Sequence, residues 1–166
     1  MYGDKPYGMN EIQIVRNGTV YAFPVAQKLE FEERVVSGEL PGDDGLAAVA
    51  AHSNGVKWKL TKGGISLEAY AAMTDREATE TGTTPNRINT LQGGTIGLSF
   101  PYFDIYGKAL GDNGDDIYYH LIDAKITEGI VGNLENQNFL VNEMGGLALD
   151  WEIVQRETAD DLPTGS

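Results

Sequence analysis

Residues 55–75, GVKWKLTKGGISLEAYAAMTD, decide how this chain is read. Val56, Trp58 and Leu60 alternate with Lys57, Lys59 and Thr61. That period of two marks a strand with one face buried and the other in water. Gly63-Gly64 follows and admits a turn through backbone conformations closed to other residues. The spacing then changes. Ser66 can cap a helix, and Glu68 complements the positive end of its dipole. Ile65, Leu67, Tyr70 and Met73, with Ala71, supply an apolar face. A helix is predicted over residues 65–74, ended by Thr74-Asp75. No other segment reads convincingly as helix. The expected fold is mainly β, a sandwich or barrel-like subunit with one flanking helix and a long hairpin loop.

Composition agrees. Glycine occurs 21 times, where ordinary usage of ~7% would give about 12, which suits many turns and few helices. The 166 residues suit one domain with appendages. The expected layout is an arm over residues 1–9, a single β domain over 10–157 and a flexible tail over 158–166. There is no cysteine, so disulfides and thiolate chemistry are excluded. No apolar stretch approaches the roughly 20 residues that span a bilayer, and the start lacks a basic-then-apolar leader. A soluble chain made in a cytosol, without membrane insertion, is expected. The net charge of -13 excludes the basic footprint of a sequence-reading DNA binder. Acidic walls repel phosphate, so the same charge suits a surface that DNA passes without sticking.

Outward from the central stretch, Asn17-Gly18 marks a hairpin between a strand at Ile12 and Ile14 and a second over residues 20–25, with Pro24 near its end. Residues 26–39 mix Leu29, Phe31, Val35 and Val36 with Lys28, Glu30, Glu32, Glu33 and Arg34. An exposed strand is preferred there over a helix. Glu39, Leu40, Pro41, Gly42, Asp43, Asp44, Gly45 and Leu46 hold a turn by their chemistry, and a small apolar run follows. Residues 28–54 therefore read as a long hairpin with an acidic tip. Two strands alone are barely stable, so such an arm wants a partner surface. Downstream, residues 76–94 read as a long polar loop, and strands are expected at 95–103, 105–110, 117–127, 138–142 and 147–154. Residues 111–116 read as an acidic turn whose carboxylates are expected to be solvated. Along residues 117–127, Ile117, Tyr119, Leu121 and Asp123 are placed on one side and Tyr118, His120, Ile122 and Ala124 on the other.

The chain offers little for chemistry. The acidic turns do not follow the spacing of a calcium loop. His52 and His120 are the only histidines, too few for a zinc site without cysteine. No nucleophile elbow supports a triad. The glycines at 93, 94 and 97 precede a strand instead of a helix, so they make no phosphate cradle. Trp58, Trp151, Tyr102, Tyr106, Tyr118 and Tyr119 could stack on sugars, but alternation along strands reads as packing. No catalytic, cofactor or metal residue is assigned, and no enzyme is expected.

Four pieces of sequence resemble the major tail tube proteins of long-tailed (siphovirus-type) bacteriophages: Gly42-Asp43-Asp44 at the tip of the excursion; Val56-Lys57-Trp58 leading into residues 63–69, GGISLEA; TGTTPN at 81–86 with PYF at 101–103 and IYGKALG at 105–111; and Gly114-Asp115-Asp116 opening a strand that ends Ala124-Lys125-Ile126-Thr127. Their order and spacing agree over nearly all of residues 10–150. The resemblance implies homohexameric rings stacked into a hollow tube, with each subunit giving strands to a continuous inner barrel. It implies that residues 36–54, with Glu39 to Leu46 at their centre, reach the next ring. It further implies a tape-measure protein and tail-tip or terminator proteins as partners, double-stranded phage DNA in transit, assembly in the host cytoplasm and residence in the virion. A net negative lumen is expected from the charge. The alternatives are a tail-completion or ring protein of the same fold, or a carbohydrate-binding β-sandwich.

Overall fold

The alternating stretch at Val56, Trp58 and Leu60 is a strand, and the sheet is built around it. A computed structural model describes residues 7–23, 26–63, 67–94, 96–111, 113–133 and 141–163. Its elements are β1 (Tyr7–Arg16), β2 (Thr19–Ala22), β3 (Ala26–Gly42), β4 (Gly45–Gly63), α1 (Leu67–Thr74), β5 (Ala78–Thr81), β6 (Ile88–Leu91), β7 (Phe103–Leu110), β8 (Asp116–Asn133) and β9 (Val141–Arg156). Seven strands form one antiparallel sheet in the order β2-β1-β7-β8-β9-β4-β3, and β5 pairs with β6 alone.

The large sheet rolls up. Phe31 on β3 and Tyr119 on β8 are three lanes apart in strand order, roughly 14 Å in a flat sheet. Their ring centroids are 4.9 Å apart. Leu29 of β3 likewise reaches over Gly107 of β7, coming within 3.1 Å of where a Cβ would sit. The mainly β, barrel-like expectation holds in this form. The inner face carries Ile12, Ile14, Val56, Trp58, Leu60, Ile105, Leu121 and Met144, all at 2% exposure or less. Burying each such side chain contributes about 1.5–3 kcal/mol. Trp58 meets Phe103 edge-on at 5.9 Å and lies against Gly146, where an added Cβ would come within 2.9 Å of Trp58 Cζ2. Gly145 and Gly146 therefore lie inside one continuous strand, not between two as the sequence suggested.

α1 closes the rolled sheet. Tyr70 and Met73 are buried, and so are Ala69, Ala71, Ala72 and Thr74, so burial extends round the helix beyond the one face expected. Leu67 is half-buried. The Arg16 guanidinium donates to Ala72 O at 2.7 Å, filling one orphan acceptor at the negative end of the helix, and pairs with the Asp75 carboxylate at 2.8 Å. Asp75 adopts φ 55° and Arg76 N–H donates to Ala71 O, a left-handed stop of the usual kind. Ile65 and the Ser66 cap lie outside the described residues, as do Gly64, Pro24, residues 1–6 and 134–140, Thr95 and residues 164–166.

Several expectations change. β1 begins at Tyr7, so residues 7–9 belong to a strand and not to an arm. Residues 76–94 are not simply a loop: β5 and β6 pair within them. Residues 96–102 are not a strand. Phe100 is instead drawn under the Arg76 guanidinium, 5.5 Å from its ring, and the strand starts at Phe103. Ala124 shares the inner face with Leu121 because Asp123, at φ 51°, breaks the alternation where β8 has one residue more than β7.

Candidate self-association surface

β3 and β4 stay paired from the barrel out to Gly42 and Gly45, with Asp43-Asp44 as a two-residue turn. β4 pairs with β9 only from Val56 to Gly63. Beyond Val56 the two strands leave the sheet as a bare ribbon, about 30 Å long at ~3.3 Å per residue. Gly55 makes the departure possible. Its φ is +80°, and a Cβ there would sit 2.7 Å from Ala148 O.

Every described side chain from Glu32 to Asn54 is exposed. Among them Val35, Leu40, Leu46 and Val49 each keep 58–61% of their surface in water. Glu39, Pro41, Gly42, Asp43, Asp44 and Gly45, taken from the sequence as the tip, are exposed with them. On one ribbon face Val36, Gly38 and Leu40 stand opposite His52, Ala50 and Ala48; on the other, Val35, Ser37 and Glu39 stand opposite Ser53, Ala51 and Val49. Uncovered apolar side chains on an unsupported two-stranded ribbon are the feature most in need of a partner.

The outer face of the barrel is polar. Lys57 pairs with Glu128 at 3.3 Å, Lys59 with Glu143 at 3.0 Å and Lys28 with Glu30 at 2.6 Å. These pairs are exposed and each contributes little to stability. The hydrogen bond from Lys28 holds the Glu30 carboxyl below its ordinary range, and that to Glu143 raises the Lys59 ammonium. Further along this face His120 stacks on Tyr106 at 4.1 Å. Its ring nitrogens lie 3.1 Å from Asp104 Oδ2 and 2.8 Å from Glu152 Oε1, joining β7, β8 and β9. Burial, then Asp104 and Glu152, push the Tyr106 phenol up.

The acidic turn and the C-terminal segment depart from expectation together. Asp116 is fully buried, not solvated, and Asp115 is buried beside it. Arg156 donates Nε to Asp116 Oδ1 and Nη2 to Asp116 Oδ2, and its guanidinium also reaches the carbonyls of Asp160 and Asp161. Lys108 donates to Asp160 O, and Asp160 N–H donates to Asp116. Leu162 then enters an apolar patch of Val15, Tyr106 and Tyr118 at 3% exposure. Residues 159–162 are thus tied to the barrel by hydrogen bonds and the buried Leu162, though 158–161 stay exposed, where a flexible tail was expected. A lone leucine after an acidic run gives no sequence signal for this.

Among the described residues no group of three or more metal-binding side chains converges, and no helix is long and apolar enough to cross a membrane.

No family model and no curated protein matches the sequence. Among solved structures, the chain is similar to one from the cryo-EM structure of the anti-feeding prophage baseplate, with 12% identity and a TM-score of 0.49, covering 90% of this chain and 96% of that one. It is similar also to one from the anti-feeding prophage cap, the tube-terminating cap, with 11% identity and a TM-score of 0.49, covering 93% and 94%. Both are parts of prophage assemblies; neither is described as a major tail tube protein of a long-tailed phage.

Proposed function

We propose that this protein is a structural tail subunit, not an enzyme, that assembles with copies of itself into stacked hexameric rings forming a hollow tube for phage DNA. The observation that carries this reading is the ribbon, which projects beyond the barrel with its apolar side chains uncovered. At about 30 Å it reaches well past the barrel, and among the described residues nothing of its own chain covers it. The outer face fits a channel wall. Its lysines at 57 and 59 are already matched by Glu128 and Glu143, and the chain carries -13 overall. Such a wall repels phosphate instead of binding it. On this reading the protein resides in the virion after assembly in the host cytoplasm. A tape-measure protein sets tube length, and tail-tip and terminator proteins close the two ends.

The test is the purified chain at rising concentration, followed by sedimentation and negative-stain electron microscopy. Tubes of uniform diameter are expected. Single rings that never lengthen would replace this reading with that of a ring or tail-completion protein. A permanent monomer retained on a glycan column would replace it with a carbohydrate-binding module.

A further inference from the structure

The two edges of the ribbon differ in chemistry. Along β3 the edge carries Glu30, Glu32, Glu33, Arg34 and Glu39, then Pro41, which has no N–H to give. Charges and proline are what keep an edge strand from pairing with another chain. Along β4, residues 46–54 read LAAVAAHSN, with no Asp, Glu, Lys, Arg or Pro. This edge has no β9 beside it, since that pairing stops at Val56 and Ala148. Among the described residues, its alternate backbone N–H and C=O groups face outward without a strand to meet them.

We propose that the β4 edge over residues 46–54 accepts a strand from a second copy of this chain by backbone hydrogen bonding. Charge permits a copy as the occupant: two chains of -13 repel overall, but residues 46–54 carry no charge, so this edge is where two copies approach at least cost. Continuity favours the same lane. From Val56 onward this very edge already takes β9 antiparallel, and an added strand extends the sheet past the point where Gly55 turns β4 away. The inference rests on the reading of the ribbon as a contact between copies.

Gly38 and Ala50 are cross-strand partners on one ribbon face but on opposite edges. Both are exposed, and a Cβ on Gly38 meets no atom within 4 Å. Ala50→Lys and Gly38→Lys therefore add the same charge to the same face. Both monomers should melt as the wild type does. Ala50→Lys is expected to raise the concentration at which assemblies appear by about tenfold or more, and Gly38→Lys by no more than about threefold. Equal loss in both variants would mean that the ribbon packs by its face, overturning the edge pairing while leaving self-assembly intact. Amide exchange gives a second readout: alternate amides within residues 46–54 should become protected in concentrated wild-type protein. Protection in dimers that never form tubes would keep the pairing and overturn the tube. A wild-type chain that stays monomeric, with these amides unprotected, would overturn both.

Discussion

Arg156 grips Asp116 through two hydrogen bonds of 2.6 Å, although 40 positions separate them. The Arg156 hydrogen bond is the main reason the Asp116 carboxyl sits below its ordinary range. An unfolded Asp titrates at about 3.9. The depressed value means that this carboxylate's stabilisation is fully present above about pH 4 and lost as pH falls through the lower folded value. Asp116→Asn should cost about 3 kcal/mol near neutrality, because it leaves Arg156 without its buried partner. It should also flatten the acid limb of a Tm-against-pH curve. A variant whose acid limb parallels the wild type would remove this carboxyl from the account.

The helix sets a ranking. Met73 is completely buried, while Leu67 is half-buried. Met73→Asp places an unpaired charge in the core and should unfold the subunit. Leu67→Asp should destabilise less, since its carboxylate can turn toward water. Chemical denaturation of the two variants checks the order; equal midpoints would contradict it.

Gly55 carries the departure of the ribbon. Gly55→Ala puts a side chain into a left-handed backbone and against Ala148 O. A loss of about 1–3 kcal/mol in thermal unfolding is expected. A neutral result would show that β4 relaxes away from β9 at no cost.

Removing residues 40–48 shortens the ribbon without touching the barrel core, whose buried residues are elsewhere. The deletion should melt like the full chain and fail to form long tubes under electron microscopy. Tubes of normal length would end the role given to the tip.

The outer face can be tested with DNA. Wild-type assemblies should not retain double-stranded DNA at low salt. Glu143→Lys with Glu30→Lys frees Lys59 and Lys28 from their acids and adds two cations. Retention should then appear and weaken as salt rises. Retention unchanged between the two would place this face away from the channel.

The elements that sequence revealed are those with local causes. Lys57, Lys59 and Thr61 alternate with core residues, so β4 could be read directly. The ribbon was legible because Gly42-Asp43-Asp44-Gly45 punctuates two extended runs. What escaped depends on distant partners. β5 and β6 are four residues each, β5 wholly exposed and β6 with only Leu91 half-buried against the core, too short for an alternation to mark them. Phe100 looked like part of a strand because apolar residues flank it, yet its ring serves Arg76. Strict alternation puts Ala124 on the wrong side, because a left-handed aspartate mid-strand leaves no trace in a period-2 pattern. The packed segment ending at Leu162 needs Asp116 and Lys108, both far away in sequence. Of the candidate surface, the tip residues are readable in the sequence, but the difference between the two ribbon edges depends on where β9 leaves β4, at Val56, which no local pattern marks.

A ribbon anchored at one end behaves as a lever. About 10° of swing at Gly55 carries a tip ~30 Å away through about 5 Å, roughly one inter-strand spacing. A filament joined through such levers can bend at every joint while each barrel keeps its shape, so its stiffness would be governed by one glycine per copy and not by the packing of the subunit body.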